Sequence, residues 1–340
     1  MTTTDAGSLA VPDHQTMLAA MQRASRAPSV HNTQPWHWRF DGEHLHLHAD
    51  PDRLLAAADP HGRQLVISCG AALHHVRTVF GSLGWHTDTV RVPDASDPNR
   101  LAETTFRPWP DPPAGLLARA DAIDRRRTDR LPMAAPEHWD AIAPRLRMLV
   151  SPHYLELDTL GESAHAQLAE ASEKAAALRH QDMLYVIEIG WWTGHSGTPD
   201  GVPTDALPSS AEFAQVRVGR AFPIPRHPDA AAAHSARRAD TEDHARLVVL
   251  SSSGDSVTEW LRTGEALSAV LLECTVAGLA TCALTDITEL PTARTALARM
   301  LPRPALPQLV IRIGTAPAGE PEHRPTPRRP LSELFTIELR

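Results

Sequence analysis

SCGAALHHVRTVFGSLGW at residues 68–85 and RTGEALSAVLLECTVAGL at residues 262–279 carry one pattern twice. Aligning Gly70 with Gly264 puts Leu73, Val76, Phe80 and Leu83 on Leu267, Val270, Cys274 and Ala277, and Gly84 on Gly278. The apolar positions step by three, four and three in both copies, which is one face of an α-helix. The spacing predicts an amphipathic helix capped by glycine at both ends and repeated 194 positions later. The flanks agree. LAETTFRPWPDPP, from Leu101, is a short strand running into prolines after the first copy, and LPQLVIRIGTAPAG, from Leu306, does the same after the second. The repeat predicts two similar halves in one chain. The Pro-rich stretch from Arg107 to Gly115 sets their boundary, giving halves at 1–112 and 113–340.

The rest of the chain fits around this repeat. A helix is expected over 13–26, followed by the loop PSVHNTQPW at 28–36, whose two prolines cannot sit inside a helix. Trp36, Trp38 and Phe40 then alternate with polar residues, Asp41-Gly42 turns, and HLHLHA alternates again, which is a hairpin. HYLELDTL, from His153, reads as a strand, and Gly161 to about Trp192 as one long helix rich in Ala and Glu. Residues 190–225 are rich in Gly, Pro and Ser, with no clear apolar period. A loop of that length suits a lid, and no rigid packed element is expected in it.

Composition narrows the class. The 340 residues suffice for two cores, and 42% are hydrophobic, as in an ordinary globular protein. Acids exceed bases 41 to 33, for a net charge of −8, which argues against nucleic acid as a partner. Cys69, Cys274 and Cys282 form no CxxC pair, which fits free thiols in a reducing cytoplasm. MTTTDAGSLAVPDHQ lacks the basic-then-apolar order of a signal peptide, and no apolar run approaches the ~20 residues of a membrane span.

Two stretches carry chemistry. PSVHNTQPW gathers Ser29, His31, Asn32, Thr33 and Gln34 between prolines: many donors and acceptors, little charge. IDRRRTDR at 123–130 sets Arg125, Arg126, Arg127 and Arg130 around Thr128, and TPRRPLSELF at 326–335 adds Arg328 and Arg329. The planar fork of arginine suits phosphate. A solvated charge run at a helix start is the competing reading of the first cluster.

Taken together, PSVHNTQPW, IDRRRTDR, GEALSAVLLECTVAGL followed by ATCALTD, and TPRRPLSELF resemble the nitroreductase superfamily of flavin-binding proteins. The likeness is nearest to its Acg-type branch, known from bacterial dormancy responses, and spans nearly the whole chain. It implies an α+β, nitroreductase-like fold, internally duplicated as an intramolecular pseudo-dimer of mixed or antiparallel sheets flanked by helices. It also implies FMN. Arg126, Arg127, Thr128 and Arg130 match the segment that holds the FMN phosphate and the flavin edge, and Arg328 and Arg329 match the C-terminal basic pair at the phosphate. Pro28, Ser29, Asn32 and Gln34 match the segment given by the opposite subunit in ordinary members, and Leu284 and Thr285 match the turn facing flavin N5. The segment at 190–225 resembles the branch's cover.

The first half has the PSVHNTQPW loop without an RRTxR ahead of it, and the second has the Arg cluster without that loop. Two half-sites in one chain therefore predict one FMN. Two functions follow, besides a specialised enzyme that modifies a metabolite or the flavin itself. In the first, FMN accepts hydride from NAD(P)H and passes electrons to a nitro or quinone-type small-molecule acceptor, without a catalytic acid or base from the chain. In the second, the chain sequesters FMN under the cover and turns over little. Because the pseudo-dimer buries the usual interface, both monomer and homodimer stay open.

The remaining features weigh less. His44, His46 and His48 share a strand face but lack partners at ligand spacing, so a solvated face is expected and no metal. No GxGxxG, GxSxG or HExxH appears in a usable context. Trp36 is expected in the core rather than under the flavin, and Trp191 and Trp192 either stack over a ligand or anchor the cover.

Overall fold

The computed structural model describes residues 10–194, 198–222, 237–320 and 325–338. Residues 1–9 of the N-terminal stretch, and 195–197 and 223–225 of the expected cover, lie outside the described residues. The first part runs α1 (His14–Ala24), β1 (Trp36–Phe40), β2 (Leu45–Ala49), α2 (Arg63–Ser82), β3 (Trp85–Arg91), β4 (Arg100–Pro108) and α3 (Ala114–Ala122). Then follow α4 (Trp139–Val150), β5 (Glu156–Thr159), α5 (Glu162–His180), α6 (Met183–Trp191) and α7 (Ser210–Gln215). The chain closes with β6 (Arg246–Ser252), α8 (Val257–Val276), β7 (Ala280–Leu284), α9 (Asp286–Glu289), α10 (Pro291–Ala298), β8 (Leu306–Gly314), α11 (Leu331–Leu334) and β9 (Phe335–Ile337).

The duplication is written into the topology. One sheet has the order β3-β4-β2-β1-β9, the other β5-β6-β8-β7. Reading β1, β2, β3 and β4 as β5, β6, β7 and β8 turns the first order into the second, and every pair so related is antiparallel. The extra strand β9 lies parallel to β1, with Trp38 opposite Phe335, so the C-terminal tail returns to the first sheet. The fold is thus α+β and internally duplicated.

The two repeated helices, α2 and α8, cross at the aligned glycines. A Cβ on Gly70 would lie 2.0 Å from the Leu261 carbonyl oxygen, and one on Gly264 would lie 1.9 Å from that of Ile67. Leu261 and Ile67 are themselves 194 residues apart, so the contact is reciprocal about a local two-fold. This corrects the expectation of glycine caps at both ends. Gly70 and Gly264 lie inside their helices, at the closest approach. Gly84 and Gly278 do follow the C-termini, at φ +81° and +74°, where a left-handed residue ends a helix cheaply. Of the repeated apolar face, Leu73, Val76, Phe80, Leu267, Val270 and Cys274 are buried, whereas Leu83 is exposed.

Three further expectations change. The long helix at 161–192 is two helices, because Asp182 accepts from the Leu184 and Tyr185 amides and starts α6 afresh. The cover contains a built element: Ser209 and Glu212 form a capping box on α7, and Val202, Leu207 and Val218 are buried. The histidine face of β2 is not solvated throughout, since His46 is buried between Asp41 at 3.1 Å and Glu103 at 3.5 Å. Trp36 sits in the core against α2, as expected, and the hairpin forms with Trp36, Trp38 and Phe40 all inward. Among the described residues no helix is long and apolar enough to cross a membrane, and no cluster of His, Cys, Asp and Glu could hold a metal ion.

Candidate functional site

The loop at 28–36 is fixed by unusual backbone. His31, Asn32 and Gln34 all have positive φ, at +45°, +57° and +50°. Each such residue costs on the order of 1 kcal/mol, so surrounding contacts must hold them. The Val30 amide donates to Ser68 Oγ on α2 (3.0 Å), and the Gln34 amide donates to Ser29 Oγ (3.0 Å). Asn32 Nδ2 donates to the carbonyls of Gly201 in the cover (3.1 Å) and Pro327 in the tail (3.2 Å). Gln34 Nε2 donates to Pro199 O (3.0 Å), and its Oε1 accepts from the Arg329 amide (2.9 Å). One loop therefore ties the cover and the C-terminal tail together.

Around this knot lie two chambers, both open to solvent in part. They share the walls Pro28, Ser29, Thr128 and Arg130. The first is mostly apolar. Its floor is Ile67, Ser68 and Ala71 of α2, Leu267 and Leu271 of α8, and the β7 end with Leu284 and Thr285; its roof is Pro208, Phe213, Val216 and Phe222 of the cover. The second is basic, lined by Arg26, Arg126, Arg127, Arg237 and Arg328 beside Asn32, with Asp129 and Asp205 as acids. Asp129 already accepts from Arg238 (2.9 Å).

The basic chamber has the marks of an anion site. Arg26, Arg126 and Arg328 each bury an Nε without a hydrogen-bond partner. Burial and the neighbouring arginines push Arg126 down to about 10 and Arg328 to about 9. Both stay cationic at neutral pH, so a cluster of like charges is held together against its own repulsion. Carbonyls position it: Arg328 Nη2 donates to Arg26 O (3.1 Å), Arg127 Nη1 to Asp124 O (2.6 Å) and Arg126 O (2.8 Å). Arg130, at the junction, makes no hydrogen bond or ion pair within the described residues and lies 5.8 Å from the Phe222 ring. A basic chamber beside an apolar one suits a ligand that joins a phosphate to an apolar ring, as FMN does.

Ten of the twelve residues expected at the site line one chamber or both. Gln34 and Arg329 do not. Gln34 is fully buried in the knot, and Arg329 turns to Gln34 O, Asp50 and Glu333. The sequence reading missed Arg26, His31 and Arg220. Arg26 stood in view as an arginine just ahead of the loop, but Arg220 lies in the cover with no motif around it. It bonds Tyr185 Oη (2.9 Å) and Thr285 Oγ1 (3.4 Å), and pairs with Glu289. Trp192 packs with Leu55 and Ala58 and anchors the cover, whereas Trp191 is exposed; neither lines a chamber.

The two-fold mate of this site is filled. The repeat sends the floor residues Ala71 and Leu271 to Glu265 and Arg77. Glu265 is fully buried and accepts from Arg77 (2.7 Å) and Arg91 (2.6 Å), with His153 at 3.9 Å. Burial alone would raise its pKa, but the Arg91 hydrogen bonds and the charges of Arg91 and Arg77 win and hold it below the ordinary range. A depressed carboxylate stabilises above its unfolded pKa of about 4.3, and that stability is lost as pH falls through the lower folded value. Glu265→Gln should therefore destabilise the chain by about 3 kcal/mol at pH 7, a gap that closes in acid. Urea unfolding at pH 7 and near pH 3 checks it; an equal gap at both would mean the charge is irrelevant.

No family model matches the chain. It is 41% identical over 323 residues to "Putative NAD(P)H nitroreductase acg" of Mycobacterium tuberculosis, covering 95% of this chain and 96% of that one. Rv3127 of the same organism is 39% identical over 323 residues, covering 94% and 92%. Among solved structures, a nitroreductase with bound FMN from Bacteroides fragilis is 15% identical with a TM-score of 0.37, over 61% of this chain and 92% of that one. On its whole-length likeness to acg, the chain belongs to the Acg-type branch of the nitroreductase superfamily.

Proposed function

We propose that the chain is an FMN-dependent oxidoreductase, using NAD(P)H to reduce nitro or quinone-type small molecules. The observation that carries this is the basic cluster, with three buried and unpartnered Nε atoms, adjoining a mostly apolar chamber. When bound, FMN supplies the hydride chemistry. The chain's residues bind and orient. Arg126, Arg127 and Arg328 hold the phosphate, joined by Arg26. Ser29, Asn32 and Thr128 serve the ribityl chain, Arg130 offers a cation to the pyrimidine edge, and Leu284 and Thr285 face the reactive edge. Gln34 and Arg329 act at one remove, by holding the loop to the tail. In this reading residues 1–112 and 113–340 are the two halves, with β9 crossing back.

One FMN per chain is expected, since Glu265 and Arg77 fill the mate of the site. Flavin absorbance against protein concentration on reconstituted chain measures it, and two flavins would sink the reading. Mixing the loaded chain anaerobically with NADPH tests the redox function itself: fast bleaching of the flavin supports an enzyme.

The roof gives the storage reading a specific basis. The cover closes the apolar chamber from above and is latched to the first half, where Arg53 donates twice to Asp200 at 3.0 Å. If a nicotinamide enters only when the cover lifts, the reduction rate follows the open fraction. Asp200→Ala removes a partly buried pair worth about 1 kcal/mol, so bleaching should speed up on the order of fivefold. No change in an already fast reaction would remove the gate and leave the enzyme.

A further inference from the structure

His31 is a buried side chain whose ring has no hydrogen-bond partner among the described residues. It lies in the wall of the apolar chamber, and Nε2 is sealed from solvent. Its backbone is held at φ +45°, a strained setting for a residue other than glycine. Burial first, then the charges of Arg220 and Arg130, press its pKa well below the ordinary value, so the ring is neutral and keeps one N–H to donate. An unpaired buried donor is costly to the fold, and a ligand that accepts from it recovers that cost.

The surroundings say what kind of ligand. His31 meets the roof, edge-on to Phe222 at 6.0 Å between centroids. Arg220 also lines the chamber, and its Nη2 approaches Thr285 above the floor. No carboxylate lines this chamber among the described residues; Glu289, which pairs with Arg220, stands behind the wall. The space between floor and roof is therefore largely apolar, and the cations at its edge are Arg130, without an ion pair among the described residues, and Arg220, paired with Glu289.

We propose that His31, with Arg220 beside it, binds the anionic oxygen of a planar acceptor that stacks beneath the roof, and so selects aromatic carboxylates over neutral aromatics. This rests on the flavin reading, since the flavin ring is taken to lie on the floor. The probes are benzoate and its neutral isostere benzamide, titrated into FMN-loaded chain and followed by the flavin spectrum. Benzoate should bind about tenfold tighter than benzamide. His31→Asn tolerates the left-handed backbone but loses the reach of Nε2. It should weaken benzoate about tenfold, change benzamide less than threefold, and leave FMN retention unchanged. His31→Gln, whose amide nitrogen extends further, should recover most of the loss. Equal binding of both probes overturns the proposal while leaving the flavin reading intact. So does loss of FMN in His31→Asn, which would assign Nε2 to the flavin. A parent chain that retains no FMN overturns both.

Discussion

Replacing Arg126 and Arg328 together by alanine is expected to lower FMN affinity on the order of 10²- to 10⁴-fold, with riboflavin changed by no more than about threefold. Each arginine loses a charge-assisted bond worth about 1.5–3 kcal/mol to a phosphate that riboflavin lacks. The pair is chosen because both guanidiniums bury an unpartnered Nε and both are strained by neighbouring cations. Arg127 is left in place as the reference arginine, its Nη1 donating to Asp124 O and Arg126 O. The flavin-free variant should unfold at no lower urea concentration than the parent, since removing two crowded charges relieves repulsion. Equilibrium dialysis with both ligands reads the first effect. Equal weakening of FMN and riboflavin would show that the cluster does not face the phosphate.

The sequence carried the site in unequal shares. A loop with two prolines and a run of arginines are local signals, and both line the chambers. What Gln34 and Arg329 do was not legible, because a buried amide bonding a cover and a tail looks the same in sequence as one bonding a cofactor. Arg220 was hidden for the opposite reason: nothing in VGRAF marks an arginine that will fold back onto Thr285 and Glu289. His31 stood in the quoted loop among five polar residues, and only its backbone twist and missing partners single it out.

The fold shows the same division. The three-four-three spacing gave the repeated helices, because an apolar stripe is what a helix needs to bury. The break at Asp182 was missed, since one N-cap inside a long Ala-rich run barely alters the periodicity. β9 was missed because three residues carry no pattern, and its pairing with β1 is set by where the tail is led. The glycines of the repeat were correctly matched but given the wrong task. A sequence shows that Gly70 and Gly264 correspond, not that they touch.

That touch makes Gly264→Ala the most damaging small substitution expected outside the binding residues. In an ordinary helix interior the change would help, by roughly 1 kcal/mol of propensity. Here the new methyl would lie 1.9 Å from Ile67 O, 2.7 Å from the Ala71 nitrogen and 2.7 Å from Gly70 Cα. All three are backbone atoms, so no side chain can swing away, and the helices themselves must separate. Overpacking of this kind outweighs the propensity gain and should leave a net loss of about 4 kcal/mol. Gly278→Ala is the control: its Cβ meets nothing within 4 Å, and the cost there is the left-handed backbone alone, about 1 kcal/mol. The damage should also reach the cofactor, because Ile67, Ser68 and Ala71 on one helix and Leu267 and Leu271 on the other form the chamber floor. Parting them breaks the floor on which the flavin ring would rest in the proposed reading, with the arginines untouched. Gly264→Ala should therefore weaken riboflavin and FMN alike, the reverse of the arginine pair, and urea unfolding with both titrations separates the two cases. Parental stability in Gly264→Ala would mean that the helices do not meet at these glycines.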